Sequence, residues 1–221
     1  MAGYSLGGKG PPDPDAEIAA GRAELPGLKF VLLVPNKQYQ LGEPIEVTLR
    51  YTYSGNRKLS VGTATRDRTG RLIRYSFSAV DKDGKVVRDP LNDVHTMGLG
   101  WGESMIAFGP DKPYEQKAAI NECLAFDQPG KYFLTARSST VRFDNFGTGE
   151  DGVPISLTSK PVEIEIIPFD EHQRVRNIAA AGEALKSEDG EKRRAAMEKL
   201  WFMMDQRAIP LMLACVNDRS G

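Results

Sequence analysis

The strongest constraint on the fold is a two-residue alternation of apolar and polar side chains. It runs through residues 45–53 and returns at 73–79, 132–136 and 162–166. Successive side chains of a strand point to opposite faces, so this period predicts half-buried strands. No helical pattern intervenes between these segments, which favours an antiparallel β-sandwich over a sheet with crossover helices.

Turn-forming residues mark the ends of several predicted strands. Lys82-Asp83-Gly84 indicates the tight turn of a hairpin over residues 71–88, and Gln128-Pro129-Gly130 precedes the strand that begins near Tyr132. Such clusters of Gly, Pro and Asp supply the backbone angles that reversals need. An apolar run over residues 28–34 predicts the first strand.

The period changes to that of helices after Pro168. Asp170 is the predicted N-cap of a first helix, and Asp189-Gly190 precedes a second. One face of the second helix is predicted to pack in a core, and it comprises Met197, Leu200, Trp201 and Met204. A third, more apolar helix is expected over residues 208–216, with Pro210 in its first turn.

These patterns predict a mainly β chain with an α-helical C-terminus. We expect a flexible leader over residues 1–27, a β-sandwich over 28–168 and a helical module over 169–221. Of the 221 residues, 40% are hydrophobic and 27% are charged, which is typical of a globular protein. The net charge of -1 gives no reason to expect nucleic acid as a partner.

Two segments resemble known families. Tyr39-Gln-Leu-Gly-Glu-Pro-Ile-Glu-Val-Thr-Leu-Arg-Tyr and Phe126-Asp-Gln-Pro-Gly-Lys-Tyr-Phe-Leu-Thr-Ala are similar to bacterial immunoglobulin-like or fibronectin-like sandwich domains. That resemblance implies that the first segment is an early core strand and that Tyr132 forms a corner. Residues 191–213 resemble one HEAT-type helical repeat through the Asp205 turn and the Arg207-Ala-Ile-Pro-Leu sequence. This second resemblance implies a helical module that belongs to, or is truncated from, a longer repeat protein.

The candidate site residues lie in two glycine-rich loops of the predicted sandwich. Trp101, within Gly98-Leu-Gly-Trp-Gly-Glu, can be an anchor for a protein or a stacking platform for a sugar, or can cover the sandwich edge. His95 precedes it, with Asp93 nearby, and can act as a base or remain a surface residue. Asn145 and Phe146 begin the second loop. We expect such loops to carry ligand binding on a rigid sandwich.

No motif for catalysis, a metal or a cofactor occurs in the sequence. Two cysteines and two histidines are too few for a zinc module or a disulfide scaffold. The expected function is therefore a non-catalytic module of a larger bacterial protein that binds a protein or glycan partner through its loops. A proteinase inhibitor-like sandwich and an accessory, carbohydrate-binding domain of an enzyme remain alternatives.

The compartment stays open at the level of the sequence. No apolar stretch is long enough for membrane insertion as a helix, and the N-terminus has no signal-peptide pattern. The chain as written therefore suggests a cytoplasmic protein, and removal of a signal peptide would make it extracytoplasmic.

Overall fold

The structure, a computed structural model, describes residues 25–63, 66, 71–72, 74–91, 104–110, 112–143, 154–203 and 205–217. Within them the chain is mainly β and ends in helices. The strands are β1 Leu28–Leu33, β2 Gln38–Gln40, β3 Glu46–Tyr53, β4 Leu59–Gly62, β5 Tyr75–Asp81, β6 Met105–Phe108, β7 Tyr114–Ala119, β8 Gly130–Phe143, β9 Ile155–Thr158 and β10 Val162–Ile167. The helices are α1 Glu171–Ala184, α2 Gly190–Met203 and α3 Ile209–Asn217.

The described strands form two sheets. The smaller sheet has the order β1–β3–β7 and is antiparallel throughout. The larger has the order β2–β10–β8–β4–β6, and β5 and β9 also pair with β8. In it, β2 runs parallel to β10, whereas the other pairs are antiparallel. The antiparallel character expected from the sequence is therefore confirmed, with one parallel pair added.

Strand β8 organises the larger sheet. Its 14 residues are long enough to pair with β10 and β5 along the first half and with β9 and β4 along the second. The pattern at 132–136 predicted only the first half of this strand. Beyond it, Ser138 and Thr140 are buried polar residues, so the apolar-polar alternation is lost although the strand continues.

The inner faces of both sheets share one apolar core, and Tyr51 of β3 lies at its centre. The Tyr51 ring stacks on Phe30 with ring centroids 4.8 Å apart. Its hydroxyl donates to Ser138 Oγ of the opposite sheet at 2.7 Å. Burial raises the pKa of the Tyr51 phenol well above its ordinary value, so the group remains a neutral hydrogen-bond donor. The inward face predicted for residues 45–53 is confirmed by their burial.

Two predicted turns are confirmed. Asp81 N donates to Lys85 O at 3.0 Å and Gly84 adopts a φ of 81°, so the chain reverses at the expected hairpin. The return is short, with one bridge between Val80 and Val86. The Tyr132 hydroxyl donates to the carbonyl of Gln128, in the predicted turn, at 2.8 Å, a contact of the kind that the resemblance to sandwich domains implied for Tyr132.

Aspartates begin the helical segments as the sequence indicated. The Asp170 carboxylate accepts from His172 N at 2.9 Å and caps α1. Asp205 likewise accepts from Arg207 N at 2.9 Å and begins a short 3₁₀ turn before α3. These contacts satisfy backbone donors that have no partner inside a helix.

The buried face of α2 differs from the prediction. Leu200 is fully buried, and Ala196 and Met203 accompany it in a cluster with Ile178, Ala181 and Ala208. Trp201 is 52% exposed, so its assignment to the core face was wrong. The contact line with α1 runs through residues 196, 200 and 203, which are spaced four and three residues apart and so share one face of the helix. Met204 lies outside the described residues.

Gly42 brings the β2–β3 loop against the end of α2. Its φ is 81°, and a Cβ placed there would lie 3.1 Å from the backbone of Met203. A side chain would therefore meet both backbone strain and a rigid neighbour. Gly84 has the same φ, yet a Cβ there would meet no atom within 4 Å.

We expect Gly42→Ala to lower the free energy of unfolding by about 2–3 kcal/mol, and Gly84→Ala by about 1 kcal/mol. The shared φ makes Gly84→Ala the matched control, so the difference isolates the contact with Met203. Urea unfolding of both variants measures it. Equal losses would show that α2 does not constrain the loop.

Candidate functional site

The four residues chosen from the sequence lie outside the described residues. Trp101 and His95 fall within 92–103, and Asn145 and Phe146 fall within 144–153. Their predicted roles therefore stay predictions. The described part of the chain offers a different candidate site, which the sequence analysis did not identify.

This site is an apolar groove between strand β1 and the β9–β10 segment, with a volume of about 730 Å³. It opens where the smaller sheet and the larger sheet meet along one side. Its lining comprises Leu25, Leu28, Lys29, Phe30, Val31, Leu32, Ile155, Ser156, Leu157, Thr158, Lys160 and Val162. Phe30, Leu32 and Ile155 also belong to the core, so the groove exposes the border of the core between the sheets.

On one side of the groove, β1 is the edge of the smaller sheet among the described strands. Ser54 N donates to Gly27 O, so Gly27 and Ser54 are a hydrogen-bonded pair next to the β1–β3 ladder. Antiparallel partners alternate between hydrogen-bonded and non-hydrogen-bonded positions. Phe30 and Leu32 therefore direct their backbone N–H and C=O groups away from β3, towards the open side.

On the other side, β9 pairs only with β8 among the described strands. Ser159 N donates to Ala136 O at 2.9 Å, so the backbone N–H and C=O of Leu157, two residues earlier, also point towards β8. By the same alternation, Thr158 directs its backbone groups outwards. The groove thus lies between two strand edges, each with backbone groups available for another strand.

Among the described residues, the charged side chains that line the groove and the adjoining sheet face are all cationic. Lys29 and Lys160 are the ionisable residues of the groove lining. Beside β9, the outer face of the larger sheet has a shallow polar depression of about 380 Å³ that includes Arg74 and Arg137. No Asp or Glu that the structure describes lines either depression. Lys29, Lys160 and Arg137 make no ion pair with any residue that the structure describes.

A second cleft of about 360 Å³ lies where the β2–β3 loop meets α1 and α2. Its central cation, Arg174, already has partners. The guanidinium lies 4.2 Å from the Phe169 ring centroid, Nε donates to Asp205 at 2.8 Å and Nη2 donates to the Met203 carbonyl. These contacts give Arg174 a structural role, because they tie α1 to the end of α2 and to the turn at Asp205.

The groove could not be predicted from the sequence, because the positions of β1 and β9 at sheet edges depend on long-range strand pairing. Strand β9 has four residues, and Ile155-Ser-Leu-Thr is too short for a reliable period-two signal. The one available signal was the apolar run at 28–34, which predicted β1. Its position at a sheet edge follows only from the sheet order.

Within the described ranges, no group of three or more His, Cys, Asp or Glu side chains is placed to hold a metal ion. The same part of the chain contains no helix that is both long and apolar enough to cross a membrane.

No protein-family model and no curated protein matches the chain. Among solved structures, the structural genomics target SoR45 is 14% identical with a TM-score of 0.31, covering 66% of this chain and 92% of its own. The sporulation control protein Spo0M of Bacillus subtilis is 15% identical with a TM-score of 0.30, covering 73% and 56%. The β-glucosidase EmGH1 of Erythrobacter marinus is 8% identical with a TM-score of 0.31, covering 63% and 16%. Similarity at this level carries no assignment of fold or activity.

Proposed function

We propose that the chain is a non-catalytic protein-interaction module that binds an extended segment of a partner in the groove between β1 and β9. One observation carries the proposal: two strand edges face each other across an apolar groove of about 730 Å³. Exposed strand edges are templates for another strand, and stable proteins ordinarily cover or charge them. An added strand gains main-chain hydrogen bonds, while its alternate side chains enter the groove.

The absence of a catalytic role is part of the proposal. The ionisable side chains that line the groove are two lysines, Lys29 and Lys160. Acid-base chemistry by side chains requires a donor and an acceptor within hydrogen-bond reach, and the described lining of the groove offers no carboxylate or imidazole. Binding needs only the apolar surface and the strand edges.

We also propose that the β region is an immunoglobulin-like sandwich and that the helices form a HEAT-like unit. The shared core of two sheets and the Tyr132 corner support the first assignment. The packing of α1 against α2 and the Asp205 turn before α3 support the second. The loops that contain Trp101 and Asn145 remain a second predicted binding surface.

A library of random eight-residue peptides, selected against the full chain, tests the proposed function. We expect selected peptides to lose about tenfold in affinity for Leu157→Asn, because that change removes about 1.5–2 kcal/mol of apolar contact in the groove. Leu213→Asn is the matched control, since Leu213 is an exposed leucine of α3. Fluorescence anisotropy gives the dissociation constants, and circular dichroism verifies the fold of both variants.

Two results would contradict the proposed function. One is a selection that yields no binder to the folded chain. The other is a set of binders whose affinity is unchanged in Leu157→Asn and falls in Trp101→Ala, which would assign binding to the loop instead.

A further inference from the structure

We infer that the partner segment adds to the β9 edge and alternates apolar with acidic residues. This inference rests on the proposed function and specifies its ligand. A strand added to β9 would lie about 4.8 Å from it and present its side chains alternately to the two faces of the sheet. One set would enter the apolar groove and contact Leu157, whereas the other would lie on the outer face.

The outer face beside β9 is basic. The register places Ser76 of β5, Arg137 of β8 and Thr158 of β9 in one row across the sheet. Arg137 is exposed and makes no ion pair with a described residue. An added strand would lie about 10 Å from β8, and the combined reach of an arginine and a glutamate side chain spans that distance. Carboxylates on the outward positions would therefore meet Arg137.

Lys160, just after the end of β9, adds a further positive charge beside this strand. Lys160 lies in the turn between β9 and β10 and lines the groove without a described acidic partner. Among the described residues, the two adjoining depressions contain three cations without an ion pair, Lys29, Lys160 and Arg137, and no carboxylate, although the whole chain has a net charge of -1. Such a local excess favours and steers an anionic ligand.

The β1 edge carries less unpaired positive charge, since Lys29 is the one cation of β1 without a described ion pair. The residue on β3 that pairs with Val31 is Arg50, and its Nε already lies 2.6 Å from Glu115. A strand added to β1 would thus meet a neutralised arginine on its outer face. The β9 edge thus adjoins two cations without a described ion pair, Arg137 and Lys160, against one at β1, and this difference selects β9.

Two synthetic eight-residue peptides test the charge preference on the full chain. One alternates valine with glutamate and the other alternates valine with lysine. We expect the glutamate peptide to bind at least about tenfold more tightly, and Arg137→Glu or Lys160→Glu to remove that preference. Lys192→Glu is the matched control, because Lys192 is an exposed lysine of α2.

The variant Thr158→Pro tests the edge itself. Thr158 N–H points away from β8, so proline removes no bond of the sheet and blocks an added strand. We expect binding of the glutamate peptide to be lost while the circular dichroism spectrum is retained. If Thr158→Pro fails to fold, the same peptide with an N-methyl group on every residue replaces it, since neither of its edges has an N–H to donate to a strand.

The outcomes separate this inference from the proposed function. Groove-binding peptides from the random library that lack acidic residues, or equal affinity for both synthetic peptides, would overturn the inference and leave the proposed function. Binding that survives Thr158→Pro would place the segment on β1 and overturn the β9 assignment. Failure of every peptide, including the library, would overturn both.

Discussion

Replacing Tyr51 by alanine is expected to lower the free energy of unfolding by about 4 kcal/mol, in the range found for large aromatic residues in cores. Tyr51 is fully buried and contacts aromatic rings of three strands: Phe30, Phe108 and Tyr114. Removal of the ring leaves a cavity between the sheets and deprives Ser138 Oγ of one of its two hydrogen-bond partners. The loss therefore includes both packing and a buried hydrogen bond.

Tyr51→Phe separates these two contributions. It retains the ring and removes the hydroxyl, so we expect a loss of about 1 kcal/mol. Ser138 Oγ keeps Thr140 Oγ1 as a partner at 2.9 Å, which limits the cost. Urea unfolding monitored by far-ultraviolet circular dichroism measures both variants. Equal losses for Tyr51→Ala and Tyr51→Phe would show that the cross-sheet hydrogen bond, and not the ring, stabilises the core.

The second large effect concerns Asp205, which joins the helices. Its carboxylate contacts Arg174 Nε at 2.8 Å, with side-chain exposures of only 10% and 11%, and Arg207 Nη2 at 2.6 Å. Arg207 in turn contacts Glu171 of α1. Removal of one partner of a nearly buried ion pair leaves an uncompensated charge and costs about 3–5 kcal/mol. We expect Asp205→Ala to destabilise the helices by that amount.

Asp83→Ala is the matched control for Asp205→Ala. Asp83 pairs with Lys82 on the surface, where both side chains are more than 70% exposed, so its loss should cost less than about 0.5 kcal/mol. Thermal unfolding monitored by the helical circular dichroism signal measures both variants. A small loss for Asp205→Ala would contradict the role of this carboxylate as the joint of the helices.

The same carboxylate predicts an acid dependence. Hydrogen bonds from Arg207, supported by the charge of Arg174, hold the pKa of Asp205 well below its ordinary value. An unfolded aspartate titrates at about pH 4, so the contribution of Asp205 to the free energy of unfolding is complete above that pH and is lost as the pH falls further. We expect Asp205→Asn to unfold with a weaker pH dependence below about pH 4 than the original chain. The free energy of unfolding is measured by urea unfolding at several pH values, and the same dependence on pH in Asp205→Asn and the original chain would contradict this account.

Local sequence patterns predicted the elements that a regular spacing of apolar residues or a capping residue identifies. The alternation at 45–53 identified β3 and its buried face, and Asp170 identified the start of α1. The same reasoning assigned Trp201 to the core wrongly, because the contact line of a helix is set by its neighbours. Residue spacing alone does not distinguish position 201 from 203.

Local sequence patterns could not predict the candidate site. Lys29, Arg137 and Lys160 are separated by more than twenty residues in sequence, and sheet pairing alone brings their segments to one side of the molecule. Whether a strand is at an edge depends on what pairs with it, which no local signal encodes. Buried polar residues such as Ser138 further hid the second half of β8 from the pattern.

Amide hydrogen exchange of the full chain, with and without a groove-binding peptide, tests the central claim most directly. We expect the amides of Thr158 and Phe30 to exchange rapidly in the unliganded chain, because neither has a described strand partner on its outer side. The peptide should slow the Thr158 amide strongly and leave the Lys192 amide, at the start of α2, unchanged. Protection of Thr158 before any peptide is added, or no change on binding, would contradict an available edge that takes a partner strand.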